Sequence, residues 1–198
     1  MLIDETYFFN RLNLPQTGNS EGLADVLAYI EQYEPEYLNC VLGYSLVKVF
    51  NEATEGSGLP DEQRWVDLID GAEYTWEGCL YRWSGLAPVT GLKISPIAYY
   101  VFYKYVDERI TDFVLVGNVS SKTDNNRTVS ATDRLVYSWN RMVDLNVDLY
   151  RFLKVNKALY PEWKDCGQYG DSWHLCGCKG ERLNSCAELF RKKNSLGL

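Results

Sequence analysis

Histidine is almost absent: His174 is the only one in 198 residues. It sits among cysteines near the end of the chain. No serine, threonine or cysteine outside that cluster therefore has an imidazole nearby in sequence to act as its base, no Gly-rich phosphate loop opens a helix, and no carboxylate pair stands apart from the acidic residues of caps and helix surfaces. The expectation is a protein that is not an enzyme, with no catalytic, cofactor-binding or metal residue assigned. Long apolar runs are also missing, none approaching the roughly 18 residues of a membrane-spanning helix. Positive charge is in deficit, 20 Lys and Arg against 27 Asp and Glu, for a net charge of −7. Phosphate binding needs clustered cations, so this balance argues against an outer surface that wraps DNA. Basic residues are lacking from Met1 to Thr6, where a signal peptide would carry them, and the expectation is a soluble protein made in a cytosol with no membrane partner. On that basis the sequons at Asn118 and Asn126 are polar loop residues rather than glycosylation sites.

What is abundant is aromatic: 15 Tyr, 6 Trp and 7 Phe. Tyr and Trp join a large apolar body to a polar tip and serve both cores and interfaces. They are densest between Ser95 and Ile110, where Tyr99, Tyr100, Phe102, Tyr103 and Tyr105 crowd a few turns. Ser95 is a capping residue and Pro96 suits the first helical position. A helix apolar on nearly every side needs cover on most of them, so this stretch is the expected central helix. Ile97, Val101 and Tyr105 are assigned to the intramolecular side. Some of Tyr99, Phe102 and Tyr103 are expected beneath a hairpin or a neighbouring copy.

The other elements follow from periodicity. Ile3, Phe8, Leu12 and Leu14 predict a short N-terminal helix before the breakers from Pro15 to Ser20. From Leu23 to Phe50 apolar steps of three and four continue across Pro35, which marks a kink or the first turn of a second helix. Asp61 to Asp70 reads as a short helix presenting Trp65, Leu68 and Ile69. Residues 72–83 read as a β-hairpin turning at Glu77-Gly78, so that Trp76 faces Cys79, Tyr74 faces Tyr81 and Glu73 faces Arg82. Thr111 to Val129 is a long connection that begins with a β-prone strip, Phe113 to Val116. A long helix then starts at a capping box, Ser130 to Asp133, and carries Leu135, Trp139, Met142, Val143, Leu149, Phe152 and Leu153 as far as Leu159. Asn146 lies on that stripe as a satisfied or interfacial polar residue.

Cys166, Cys176, Cys178 and Cys186 cluster with His174 in a Gly-rich tail. This is a zinc-ligand inventory, but Cys176-Gly-Cys178 is not the usual Cys-x-x-Cys knuckle. Zinc ligands, free thiols and disulfides formed after release from a reducing cytosol all stay open. The same tail is basic, with Lys179, Arg182, Arg191, Lys192 and Lys193 against Glu181 and Glu188. It could dock an acidic partner or stay solvated.

The fold class is thus mainly α: a helical bundle with a central aromatic helix, a long C-terminal helix, a small β-hairpin and a long β-prone loop. Residues 1–160 form a helical domain containing hairpin 72–83 and loop 111–129, and residues 161–198 form a cysteine-rich extension.

Taken together, Leu2-Ile-Asp-Glu-Thr-Tyr-Phe-Phe9, Tyr33-Glu-Pro-Glu-Tyr-Leu38 with Leu42-Gly-Tyr44, Leu68-Ile-Asp-Gly-Ala-Glu-Tyr74, Ser95-Pro-Ile-Ala-Tyr-Tyr100 and Trp139-Asn-Arg-Met142 resemble the head-tail connector (adaptor) proteins of tailed bacteriophages. The resemblance is especially to the versions in phages of Bacteroides-like gut bacteria, including crAss-like phages. The resemblance covers about residues 1 to 155, and the cysteine-rich tail departs from it. It implies a virion protein at the head-tail junction, made in the host bacterial cytoplasm. There it would assemble as a homo-oligomeric ring, typically of twelve copies, between the portal and the tail or further ring proteins. Genomic DNA would pass through without specific binding, as acidic walls permit. The rival expectation is a zinc-stapled module that binds protein or nucleic acid through residues 166–186.

Overall fold

The computed structural model describes residues 1–14, 20–54, 62–89, 91–115, 131–163, 168–169, 172–173 and 192–193. The loop proper from 116, the Ser130 cap, both sequons and the cysteine–histidine cluster lie outside the described residues.

The chain begins with two 3-10 turns, Glu5–Tyr7 and Asn10–Leu12, in place of the expected N-terminal helix. Local and distant groups both take the backbone elsewhere. The Asp4 carboxylate accepts from Thr6 N at 2.9 Å, and Asn10 adopts a left-handed φ of 52°. The Leu2 and Ile3 amides donate to the distant Glu34 carboxylate. Helix α1, Ser20–Leu42, then runs unbroken through Pro35. Pro35 and Glu31 are exposed, so the proline sits on the solvent side of the helix, where a lost hydrogen bond is best tolerated. The break comes instead at Gly43, whose φ of 78° ends α1 before α2, Tyr44–Thr54. Its N–H caps Asn39 O at 3.2 Å while its carbonyl accepts from Val47 N at 3.1 Å, the usual service of a left-handed residue after a helix.

Helix α3, Gln63–Asp70, leads into β1, Ala72–Trp76, and β2, Cys79–Trp83. The pair is antiparallel in the expected register, with Glu73 opposite Arg82, Tyr74 opposite Tyr81 and Trp76 opposite Cys79. Glu77 and Gly78, at φ 50° and 80°, make the turn, and two left-handed central residues match the twist of the strands.

Helix α4, Pro96–Leu115, is the central aromatic helix. The Ser95 hydroxyl accepts from Ala98 N at 3.3 Å and donates to Leu86 O. The helix does not stop near Ile110. It continues through Phe113, Val114 and Leu115, the strip expected to be β-prone. A short apolar run fits either state by pattern, and extending an existing helix adds one hydrogen bond per residue without a new nucleus. Helix α5, Ala131–Val155, follows. It ends before the expected Leu159, where Asn156 bonds back to Phe152 O through both its backbone N at 3.0 Å and its Nδ2 at 2.9 Å.

Helix α4 packs most extensively on α5 and also along α1, and the hairpin lies on α5. One continuous core joins these elements, from Ile3 to Trp163. The expectation for Ile97, Val101 and Tyr105 holds, all three being buried. Tyr99 and Phe102 are buried too, but not under the hairpin. The Tyr99 ring meets Tyr137 at 6.3 Å and the half-buried Tyr103 ring meets Trp139 at 4.7 Å, both on α5.

Candidate functional site

Three surfaces combine chemistry with exposure. The first is the hairpin. Its inner face is fixed: Tyr74 and Trp83 pack on Phe152 of α5 at 5.9 and 6.3 Å, and Trp83 Nε1 donates to Leu68 O at 3.0 Å. Lys154 lies 5.7 Å from the Trp76 ring and Arg151 5.9 Å from that of Tyr81. Cations over aromatic faces cover the flank of the hairpin without burying it. The tip and the outer face stay open, with Leu80 70% exposed on the outer face and Cys79 an exposed thiol beside the turn, while Tyr81, on the aromatic face where it stacks on Tyr74, is 38% exposed. Glu73 and Arg82 are also exposed, opposite each other on the outer face. A two-stranded ribbon is marginal by itself, and here its aromatic side stabilises it while its other side carries an unburied leucine.

The second is a row of phenols between α1 and α4. Tyr33 Oη donates to Glu108 and Tyr100 Oη to Glu36. Lys104 Nζ stands 3.4 Å from Glu36 and 5.1 and 5.4 Å from the Tyr33 and Tyr100 rings. At the far end Arg109 pairs with Asp25 and covers the Tyr105 ring at 4.9 Å. Burial first, then the neighbouring Glu108, pushes the Tyr29 phenol up to about 12. Burial and the carboxylate that each phenol faces raise Tyr33 and Tyr100 further. These hydroxyls stay protonated donors near neutral pH, so the row ties two helices together and supplies no base or nucleophile.

The third is a seat on α4 and α5 for Lys192 and Lys193. The Asn140 side chain accepts from Lys193 N at 2.7 Å and donates to Lys193 O at 2.9 Å, pairing with that residue as a neighbouring strand would. Lys193 Nζ donates to Tyr103 Oη at 2.7 Å and lies 4.8 and 4.7 Å from the Tyr103 and Trp139 rings. Lys192 Nζ reaches Asp144 at 2.7 Å.

Two buried polar groups complete the description. Asn146, on the apolar stripe of α5, accepts from the fully buried Tyr37 hydroxyl, so it is a core residue, and its Nδ2 has no partner among the described residues. The Glu34 carboxylate borders a cleft of about 500 Å³ with Leu38, Val47 and Phe50, but it is engaged by the Leu2 amide at 2.8 and 2.9 Å and the Ile3 amide at 3.2 Å. Burial raises its carboxyl above the ordinary carboxylate range, while those two amides pull it back.

Cys166, His174, Cys176, Cys178 and Cys186 fall outside the described residues. Among the described residues no three His, Cys, Asp or Glu side chains are grouped to hold a metal ion, and no helix is long and apolar enough to cross a membrane. The tail does contain a second small ladder that the sequence analysis missed, β3, Gln168–Tyr169, against β4, Ser172–Trp173. The signal was there: Gly170-Asp171 between Tyr169 and Ser172 is a two-residue hairpin spacer. The Lys193 seat had no such signal, because Asn140 and Tyr103 are far from Lys193 in sequence. Comparison with protein-family models, with curated proteins and with solved structures finds no match to this chain.

Proposed function

We propose that this chain is a virion structural protein that forms a ring between the portal of the DNA-filled head and the tail, and that it lines the DNA exit channel. The observation that carries the reading is the hairpin, held rigidly on α5 through Tyr74 and Trp83 while Leu80 stays 70% exposed beside Tyr81. An apolar residue held out on a fixed arm suits a head-to-tail contact, in which one surface meets a different surface of the next copy and successive copies close a ring. The acidic balance, −7 overall, suits a conduit, since negative walls repel phosphate and let DNA slide past. The role is structural rather than catalytic, the partners are further copies, the portal and tail proteins, and the place is the head-tail junction after synthesis in the host cytoplasm.

The test is electron microscopy of the purified protein mixed with its portal, for the wild type and for Leu80→Glu. The wild type is expected to add a ring to the portal. Leu80→Glu changes an exposed position, so it is expected to fold with stability within about 0.5 kcal/mol of the wild type and to add no ring. Wild-type protein that stays monomeric beside portal and tail alike would overturn the proposal, as would a Lys- and Arg-rich lumen in an assembled particle.

A further inference from the structure

The seat on α4 and α5 holds Lys193 by both its backbone and its side chain. Recognition there has two separate parts. The Asn140 side-chain amide reads the backbone, giving and taking one hydrogen bond with Lys193 N and O, which requires an extended residue but not a particular side chain. Tyr103 and Trp139 read the side chain, through a 2.7 Å hydrogen bond to Nζ and two ring faces within 5 Å of it. A cation held by a phenol oxygen and two aromatic faces is selected over neutral or acidic side chains. The Lys192–Asp144 pair is 59% and 44% exposed, so solvent screens it and it adds direction rather than strength. Asn140 and Asp144 stand four residues apart on one face of α5.

The occupant is basic, whereas the seat is neutral and aromatic with one carboxylate, Asp144, at its edge. Residues 179–193 carry five Lys or Arg against two Glu, on a protein whose overall charge is −7. Residues 164–191 separate the dipeptide from the last core residue, Trp163, and with β3 and β4 paired back on each other the remaining stretch of that chain extends by at most about 80 Å. That reach exceeds the width of a globular chain of this length, roughly 40 Å. A tail entering the seat of an adjacent copy keeps every contact that it makes in its own.

We infer that the Tyr103–Trp139–Asn140 seat is an exchange site that takes the Lys192-Lys193 segment of a second copy, so that neighbouring copies are latched by their C-terminal tails. The inference rests on the ring reading for the neighbour, and on the contacts of Lys193 for the latch.

Complementation between two full-length variants tests it. Lys193→Glu keeps the seat and disables the tail; Asn140→Ala keeps the tail and disables the seat. Neither makes the latch alone, and only their mixture can make it, from one chain to the other. With differently tagged copies, the mixture is expected to co-purify with an apparent Kd about tenfold or more below that of either variant alone, as charge-assisted hydrogen bonds gained in trans require. Adding Asn140→Ala to the Lys193→Glu partner should abolish the gain. If either variant fails to fold, Lys193→Met or Asn140→Leu replaces it, since each keeps close to the volume of the native side chain and removes its hydrogen bonds. A mixture that associates no better than its components overturns the latch. Ring formation by the wild type on the portal is scored separately, so loss of the latch with rings intact, and rings absent with the latch intact, are different results.

Discussion

Gly71 and Gly85 carry the sharpest prediction. The end of α3 and the segment leaving β2 run against each other backbone to backbone at these two residues. A Cβ on Gly71 would lie 2.3 Å from Trp83 O and 2.7 Å from Ser84 C, and one on Gly85 would lie 2.3 Å from Ile69 O and 2.7 Å from Asp70 C. The obstacles are main-chain atoms, which cannot swing aside as the end of a side chain can. Both residues also have left-handed φ, 93° and 94°, and Gly71, at ψ 157°, occupies a region essentially confined to glycine. Gly71→Ala therefore costs about 1–3 kcal/mol in backbone strain. Relieving the clash also parts the two segments, weakening Leu86 N to Leu68 O at 3.0 Å and Ala87 N to Ile69 O at 2.9 Å, each worth about 1 kcal/mol. The sum is about 3–5 kcal/mol. At Gly78, in the hairpin turn at φ 80°, an added Cβ would meet no described atom within 4 Å, so Gly78→Ala bears the dihedral cost alone, about 1–2 kcal/mol. Urea denaturation of both variants measures the contrast. With a slope of about 1–3 kcal/mol per M, the difference in cost of about 1–4 kcal/mol should place the Gly71→Ala midpoint below that of Gly78→Ala by about 1 M. Gly85→Ala should resemble Gly71→Ala, and the double variant should lose less than the sum, because one separation relieves both clashes. A Gly71→Ala midpoint equal to that of Gly78→Ala would refute the close backbone approach, and with it the rigid base on which the hairpin stands.

Other predictions concern the buried polar groups and the phenol row. Tyr37→Phe deprives Asn146 of the hydroxyl it bonds and should cost about 1–3 kcal/mol, whereas Tyr37→Phe with Asn146→Leu removes both partners and should recover much of it; additive losses in that double-mutant cycle would contradict the pairing. The Glu34 carboxyl is raised in the folded state, so the native protein holds that proton more tightly than the unfolded chain. The Glu34 contribution to stability should therefore fall as pH rises from the ordinary carboxylate range through the raised value, by at most about 1.4 kcal/mol per pH unit. Stability of the wild type minus that of Glu34→Gln, followed by denaturant midpoints across mildly acidic pH, should show this decline, and a difference that grows with pH would contradict it. Tyr33→Phe removes a phenol that donates to Glu108 and should cost about 1–2 kcal/mol in thermal or urea unfolding, while unchanged stability would mean that the row does not tie α1 to α4.

By itself the sequence determined what is local or additive. The hairpin register followed from strict alternation around a two-residue turn, because a slip of one residue would send Tyr74 and Trp83 to the solvent face. The central and C-terminal helices followed from apolar spacing and from the Ser95-Pro96 start, and the acidity from simple counting. Tertiary structure decided what depends on residues far apart in the chain. Pro35 stays inside α1 because its face meets water, and the N-terminus gives up its helix because Leu2 and Ile3 have Glu34 to bond. Phe113 to Leu115 continue α4 because the helix was already nucleated. The hairpin lies on Phe152 rather than on the aromatic helix, and Tyr103 meets Trp139 and Lys193 instead. Asn146, legible only as a polar residue on an apolar stripe, gains its meaning from Tyr37, and Asn140 from Lys193. Local patterns fix which face of an element is apolar, but which partner covers it is a contest among distant surfaces, settled by shape and by the hydrogen bonds that burial would otherwise leave unmade.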